Sequence, residues 1–247
     1  MAYDFHYMPL RGVLFDLDDT LFDHDHATNR ALSALRATEP AFREWAPAEL
    51  VSRHSVELEA MHLEVLAGRQ SIDNAREERF RRLFEAATGR SAPAGHAAQL
   101  ARGYRTAYEG AWQPVTGAPE LLKALRAAGL PIAIVTNNIV AEQQLKLRHC
   151  GLDRLIDLLI TSEEIGAAKP DVRIFEAVLS RMGINRDETV MIGDAWHTDI
   201  AGAQAAGIRP IWFNRRDAAS PDQGVAELKA LEPTPDTLAL ITNNRSC

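Results

Sequence analysis

The sequence lacks most of what would tie it to an oxidising compartment, a nucleic acid or a membrane. It has two cysteines in 247 residues, Cys150 and Cys247. Neither stands in a metal-type spacing, which argues against a disulfide framework or a cysteine zinc site and fits a reducing compartment. Positive charge is scarce: 27 Lys and Arg face 34 Asp and Glu, a net charge of -7. That gives no support for a nucleic-acid polymer as partner, which wants a basic face. The densest basic group, Arg79, Arg81 and Arg82, is flanked by Glu77, Glu78 and Glu85 and reads as a solvated helix face. No apolar run approaches the roughly 18 residues of a membrane span. The first residues, Met1 to Met8, show neither a basic nor an apolar leader segment, so no signal peptide and a cytoplasmic location are expected. There is no internal repeat. What remains, 46% hydrophobic and 25% charged, is the composition of an ordinary globular protein of one large or two smaller domains.

One run carries chemistry. In Arg11-Gly-Val-Leu-Phe-Asp-Leu-Asp-Asp-Thr-Leu-Phe22 a short apolar strand ends in three carboxylates, Asp16, Asp18 and Asp19. Such a cluster is unfavourable unless a cation, hydrogen bonds or solvent compensates it. Asp16 sits where the strand ends and can attack; Asp18, two residues on, can reach the same reacting centre. A nucleophilic carboxylate beside an acid/base carboxylate is a workable pair for a phosphate ester. An acidic turn that caps the next helix would look the same.

Three further segments follow in order. Pro131-Ile-Ala-Ile-Val-Thr-Asn137 is a buried strand ending in a hydroxyl and an amide. Gly166-Ala-Ala-Lys-Pro-Asp171 puts Lys169 just before a helix, with Pro170 fixing its start. Thr189-Val-Met-Ile-Gly-Asp194 is another buried strand, followed by Asp199. Each alone has an ordinary turn or cap explanation. All four together, each at a strand's carboxyl end or a helix start, are hard to attribute to chance.

The stretches Asp16-Leu-Asp-Asp-Thr20, Thr136-Asn137, Lys169-Pro170 and Gly193-Asp194 with Asp199 resemble the haloacid dehalogenase superfamily of aspartate-nucleophile phosphatases, from about Arg11 to about Asn214. The resemblance implies Asp16 as nucleophile and Asp18 as general acid/base. Thr136 and Asn137 would hold the phosphoryl oxygens and Lys169 would neutralise charge. Mg2+ would bind the carboxylates of Asp16 and Asp194 and the main-chain carbonyl of Asp18, with Asp199 supporting those ligands from behind. The role of Asp18 implies neighbours that favour its protonated form. Asn138 stands where many relatives have glycine. Ser162 to Asp171 and the helical segment are similar to the branch of bacterial pyrimidine 5'-nucleotidases and N-acylneuraminate-9-phosphatase.

The chain also divides by texture. From about Thr28 to Tyr108 no strand-like run occurs, and apolar residues recur at helical spacing, as in Leu58, Met61 and Val65. Four or so helices are expected. From Trp112 on, strands and helices alternate, which predicts a doubly wound, Rossmann-like parallel sheet whose ligand site lies at the strands' carboxyl ends. The expected division is a core of 1–23 and 111–247 and an all-helical cap of 24–110, inserted just after the nucleophile and placed over it. The expected activity is hydrolysis of a small phosphate ester, with a nucleoside monophosphate among such substrates; a sugar-phosphate phosphatase or a phosphomutase is the alternative. Dehalogenation is disfavoured by Asp18 and Asp19, and a non-catalytic binding protein by the complete motif set. Tyr104, Tyr108 and Trp112 read as cap packing. Asp23 and Asp25 read as a solvated linker, and the roles of His24, His26, Trp196 and His197 stay open.

Overall fold

The computed structural model describes residues 9–243. Their strands are β1 (Gly12–Phe15), β2 (Ile132–Thr136), β3 (Leu158–Thr161), β4 (Thr189–Gly193), β5 (Arg209–Phe213) and β6 (Ala226–Leu228). They form one sheet in the order β3-β2-β1-β4-β5-β6, every pair parallel. Every residue of β1, β2 and β4 is buried. A parallel sheet is covered on both faces, and so its strands are continuous apolar runs rather than alternating ones. The fold is the expected α/β one, with the first strand at the centre.

The chain forms two compact units. One contains the residues up to Asp23 and from Gln113 onward; the other is His24–Trp112. In the sheet unit the helices are α5 (Ala118–Ala127), α6 (Val140–His149), α7 (Ser162–Ile165), α8 (Val172–Met182), α9 (Ala201–Ala205) and α10 (Thr234–Thr242). The amphipathic pattern of α8 shows why it docks: Ile174, Phe175, Val178 and Leu179 fall on one face and join Leu14, Val135 and Met191 in the core. Asp171, rather than Pro170, opens α8, because its carboxylate accepts the Arg173 amide. β6 and α10 lie in a stretch where no element was expected.

The helical unit contains α1 (His24–Thr38), α2 (Pro47–Leu66), α3 (Ile72–Thr88) and α4 (His96–Glu109), with a 3₁₀ turn at Pro40–Glu44. Tyr104 and Tyr108 are buried and stacked 5.7 Å apart. The basic group on α3 is not one solvated face. Arg81 and Arg82 pair with Glu78, Glu85 and Glu57 near the surface. Arg79 is only 6% exposed, and its guanidinium lies 5.1 Å from the Phe80 ring centroid and 5.2 Å from that of Tyr104. The apolar stem and the affinity of a cation for an aromatic face account for its direction inward. His24 meets the Tyr108 hydroxyl at 2.7 Å and the Thr28 hydroxyl at 3.3 Å, both within this unit. No helix among the described residues is long and apolar enough to cross a membrane.

Candidate active site

The order β3-β2-β1-β4 places the reversal of strand order beside β1, the crevice where open α/β sheets bind ligands. Phe15 pairs with Ile134 on one side and Ile192 on the other. The next residues, Asp16, Val135-Thr136 and Gly193-Asp194, therefore leave the sheet side by side. The turn after β1 is tight. The amides of Thr20, Leu21 and Phe22 all donate to the Leu17 carbonyl, and Asp19 adopts a left-handed φ of 65°. Asp is among the few residues that tolerate that region.

At the centre lies an ammonium shared by two carboxylates. Lys169 Nζ donates to Asp16 Oδ1 at 2.6 Å and stands 2.7 Å from Asp199 Oδ1. Lys169 and Asp199 are 2% and 1% exposed at the side chain. Asp199 is fixed on its other oxygen by the Ala195 amide at 3.0 Å. Gly193 is required beside it: a Cβ there would fall 2.3 Å from Asp199 Oδ2. Thr20 ties the ends of β1 and β4 together, since its hydroxyl accepts the Asp194 amide at 3.2 Å and faces Asp16 Oδ2 at 3.4 Å. The Trp212 indole donates to the Asp194 carbonyl at 2.8 Å, and Trp196 packs edge-on against it with ring centroids 5.0 Å apart. Trp196 opens a π turn over Trp196–Ile200, and His197 is exposed.

Negative charge is in excess here. Asp16, Asp194 and Asp199 each offer an oxygen within 4.8 Å of the others. Burial, then the charges of Asp16, Asp199 and Asp19, push the Asp194 carboxyl up to about 8, against a smaller opposing effect of Arg216. Burial also raises Asp16, to about 7, although Lys169 opposes it. Burial would lower the Lys169 ammonium, but Asp16 and Asp199 outweigh it and hold it above its ordinary value. The directions agree with one another: two carboxylates share one buried ammonium and a third, Asp194, stands beside them without touching it, so the lysine stays charged while the acids remain short of positive charge. Clustered hard oxygen donors with uncompensated charge suit a small divalent cation. Arg216, on the loop after β5, stands 3.1 Å from Asp19 and 3.6 Å from Asp194. It borders a cavity of ≈ 110 Å³ shared with Asp194 and Trp212.

Other expected residues behave differently. Thr136 is 2% exposed at the end of β2. The Asn137 side chain donates to the Lys169 carbonyl at 2.8 Å and accepts the Lys169 amide at 2.7 Å. It therefore fastens the loop between α7 and α8 that carries the lysine. Asp18 was expected among neighbours that favour protonation, yet the structure surrounds it with donors. Lys146 Nζ lies 2.5 Å from Oδ1, and Gln143 Nε2 lies 2.9 Å from Oδ2. Neither partner was singled out in the sequence; their i, i+3 spacing on one helix face was the available signal. Asp23 is no free linker acid, because Arg215 pairs with it at 2.8 Å.

Residues 10–207 match the family described as haloacid dehalogenase-like hydrolase. Over 242 residues the chain is 32% identical to ribulose-1,5-bisphosphate 5-phosphatase of Halopiger xanaduensis, covering 94% of this chain and 98% of that one. It is 32% identical over 209 residues to pyrimidine 5'-nucleotidase PynA of Streptococcus pneumoniae, covering 82% and 83% respectively. Among solved structures, YfnB from Bacillus subtilis bound to magnesium matches with a TM-score of 0.75 at 27% identity, over 95% of this chain and 99% of that one.

Proposed function

This chain belongs to the haloacid dehalogenase-like hydrolase family, and from that premise we propose that it is a Mg2+-dependent phosphomonoester hydrolase acting on a small phosphorylated metabolite through an aspartyl phosphate. Asp16 attacks phosphorus in line, its oxygen forming the new P–O bond as the bond to the leaving alcohol breaks. Asp18 gives that alcohol its proton. Asp18 then takes a proton from the water that attacks the aspartyl phosphate, releasing inorganic phosphate and restoring both carboxyl groups. Lys169 and the Thr136 hydroxyl take up charge on the phosphoryl oxygens. Asp16 and Asp194, with the Asp18 carbonyl, would hold Mg2+, which would supply the positive charge that lets an anionic carboxylate meet an anionic phosphate.

The observation that carries this reading is the grouping at one end of the sheet of three carboxylates, Asp16, Asp194 and Asp199, two of them on Lys169, with a further carboxylate, Asp18, held apart on its own donors. A carboxylate nucleophile alone would serve dehalogenation; the second, separately held carboxylate is what ester cleavage needs. For the substrate, the relatives that share most of the chain support two classes, a sugar phosphate and a pyrimidine nucleoside monophosphate.

The test is phosphate release from a panel of sugar phosphates and nucleoside monophosphates, with Mg2+ and with chelator, for wild type and Asp16→Asn. Turnover should require both Mg2+ and Asp16, because an amide cannot form the mixed anhydride. Asp16→Asn protein that turns over near the wild-type rate, or undiminished activity in chelator, would overturn it.

A further inference from the structure

Two side chains outside the four motifs converge on Asp18. Gln143 and Lys146 lie three residues apart on α6 and are 0% and 3% exposed. Long polar side chains are seldom this buried without a task. Lys146 Nζ reaches Asp18 Oδ1 at 2.5 Å, and its charge also lies 4.9 Å from the centre of the Phe22 ring. Gln143 Nε2 donates to Asp18 Oδ2 at 2.9 Å and to Thr136 Oγ1 at 2.8 Å. The amide orientation follows from the partners, since its carbonyl turned to Asp18 would face a carboxylate. That carbonyl is itself buried and unpartnered, so nothing else fixes the group. Two consequences follow. Each Asp18 oxygen is held by a different donor, which sets the plane of the carboxyl group. The Thr136 oxygen accepts from Gln143, so its own hydrogen must point to another acceptor.

We propose that Gln143 and Lys146 are positioning residues for the reaction. Lys146 and Gln143 aim Asp18 at the leaving oxygen, and Gln143 turns the Thr136 hydroxyl hydrogen toward a phosphoryl oxygen. One amide thereby links the group that handles the proton to the group that holds the phosphate. Neither residue gains or loses a proton in the cycle; they act through geometry, where small misplacements are costly. The inference rests on the reading of Asp18 as the acid/base group.

The experiment compares a nitrophenyl phosphate, whose leaving group needs little protonation, with an alkyl phosphate, whose leaving group needs it. Lys146→Met, Lys146→Arg and Gln143→Leu are measured in wild-type and Asp18→Asn backgrounds, with circular dichroism as a check on folding. Lys146→Met should lower kcat on the alkyl ester about ten- to a hundredfold more than on the aryl ester, the scale of one hydrogen bond to a charged group. KM should move less than kcat, and Lys146→Arg should recover part of the loss. Within Asp18→Asn, Lys146→Met should add little further loss. Gln143→Leu should in addition weaken inhibition by inorganic phosphate. Equal losses on both esters, or full additivity with Asp18→Asn, overturn the proposal while Asp18→Asn still discriminates between the esters. If Asp18→Asn itself shows no such discrimination, the acid/base reading fails and this inference fails with it. If Lys146→Met does not fold, the Lys146→Arg and Gln143→Leu arms decide by the same criterion.

Discussion

Lys169→Met removes the ammonium from the centre of the site and leaves a chain of similar length and shape. The wild-type group is 2.6 Å from Asp16 and 2.7 Å from Asp199, with 2% of its side chain exposed. Little cavity forms, so the loss is electrostatic. Removing one member of a buried ion pair typically costs about 3–5 kcal/mol, because the partner stays buried without compensation. For a chain of this size each kcal/mol moves the midpoint by roughly 2–4 °C, so the variant should melt roughly 6–20 °C below wild type. Differential scanning fluorimetry with and without Mg2+ reads this directly. Mg2+ should stabilise the variant more than wild type, since the cation then meets three carboxylates without the lysine. Adding Asp199→Asn should restore part of the lost stability, because the two groups touch and their effects are not additive. Turnover should fall by about 10²–10³. A midpoint within about 2 °C of wild type, with no added response to Mg2+ and turnover within threefold, would refute the charge balance drawn for this site.

Other perturbations test separate parts of the structure. Gly193→Ala places a methyl group 2.3 Å from the fixed carboxylate of Asp199; a loss of about 1–3 kcal/mol in urea unfolding and reduced kcat are expected, whereas wild-type stability would mean that Asp199 can move. Asp194→Ala should raise the Mg2+ concentration needed for half-maximal activity or abolish activity, and an unchanged requirement would remove Asp194 from the ligand set. His54 tests the helical unit. It is fully buried among Phe80 and Tyr104 with both ring nitrogens unpartnered; burial first, then the Arg79 charge, holds it well below its ordinary 6.5. Above 6.5 the ring is neutral folded or unfolded, while below it only the unfolded chain gains the proton. The stability of this unit should therefore fall with pH, by up to about 1.4 kcal/mol per unit, and His54→Phe should flatten that slope in melts followed from pH 7.5 to 5. Parallel pH profiles for the two proteins would count against a neutral buried ring.

The sheet was legible in the sequence because strands buried on both faces are unbroken apolar runs, and β1, β2 and β4 are followed directly by the polar residues Asp16, Asn137 and Asp194 at the ends that carry the site. β6 was not legible: it is three residues long, at the edge, and partly exposed. Nor was α10, whose Thr234–Thr242 sequence carries three threonines and a proline and forms a helix by packing Ile241 rather than by propensity. In the site, the motif residues could be ordered along the chain, but their partners could not be assigned. Periodicity places Gln143 and Lys146 on one face of α6 without saying that this face is buried, and a lysine is by default an exposed residue. Arg79 misled for the converse reason, since its acidic neighbours belong to Arg81 and Arg82. Asn137 sits at a strand end among motif residues, and only the fold brings both of its amide atoms to the main chain of Lys169.

The central place of β1 in the sheet has a consequence for how the chain is made. Its residues are synthesised first, yet β2 begins at Ile132 and β4 at Thr189. Lys169 meets Asp16 across 153 positions, and the Asp194 amide meets Thr20 across 174. The helical unit, by contrast, is one continuous stretch with local contacts, the kind that forms early. A growing chain thus completes its helices while an apolar strand with two open edges waits for partners. Lys169 also precedes Asp194 and Asp199 in the chain, so during synthesis the cation is made before the two later carboxylates that gather beside it.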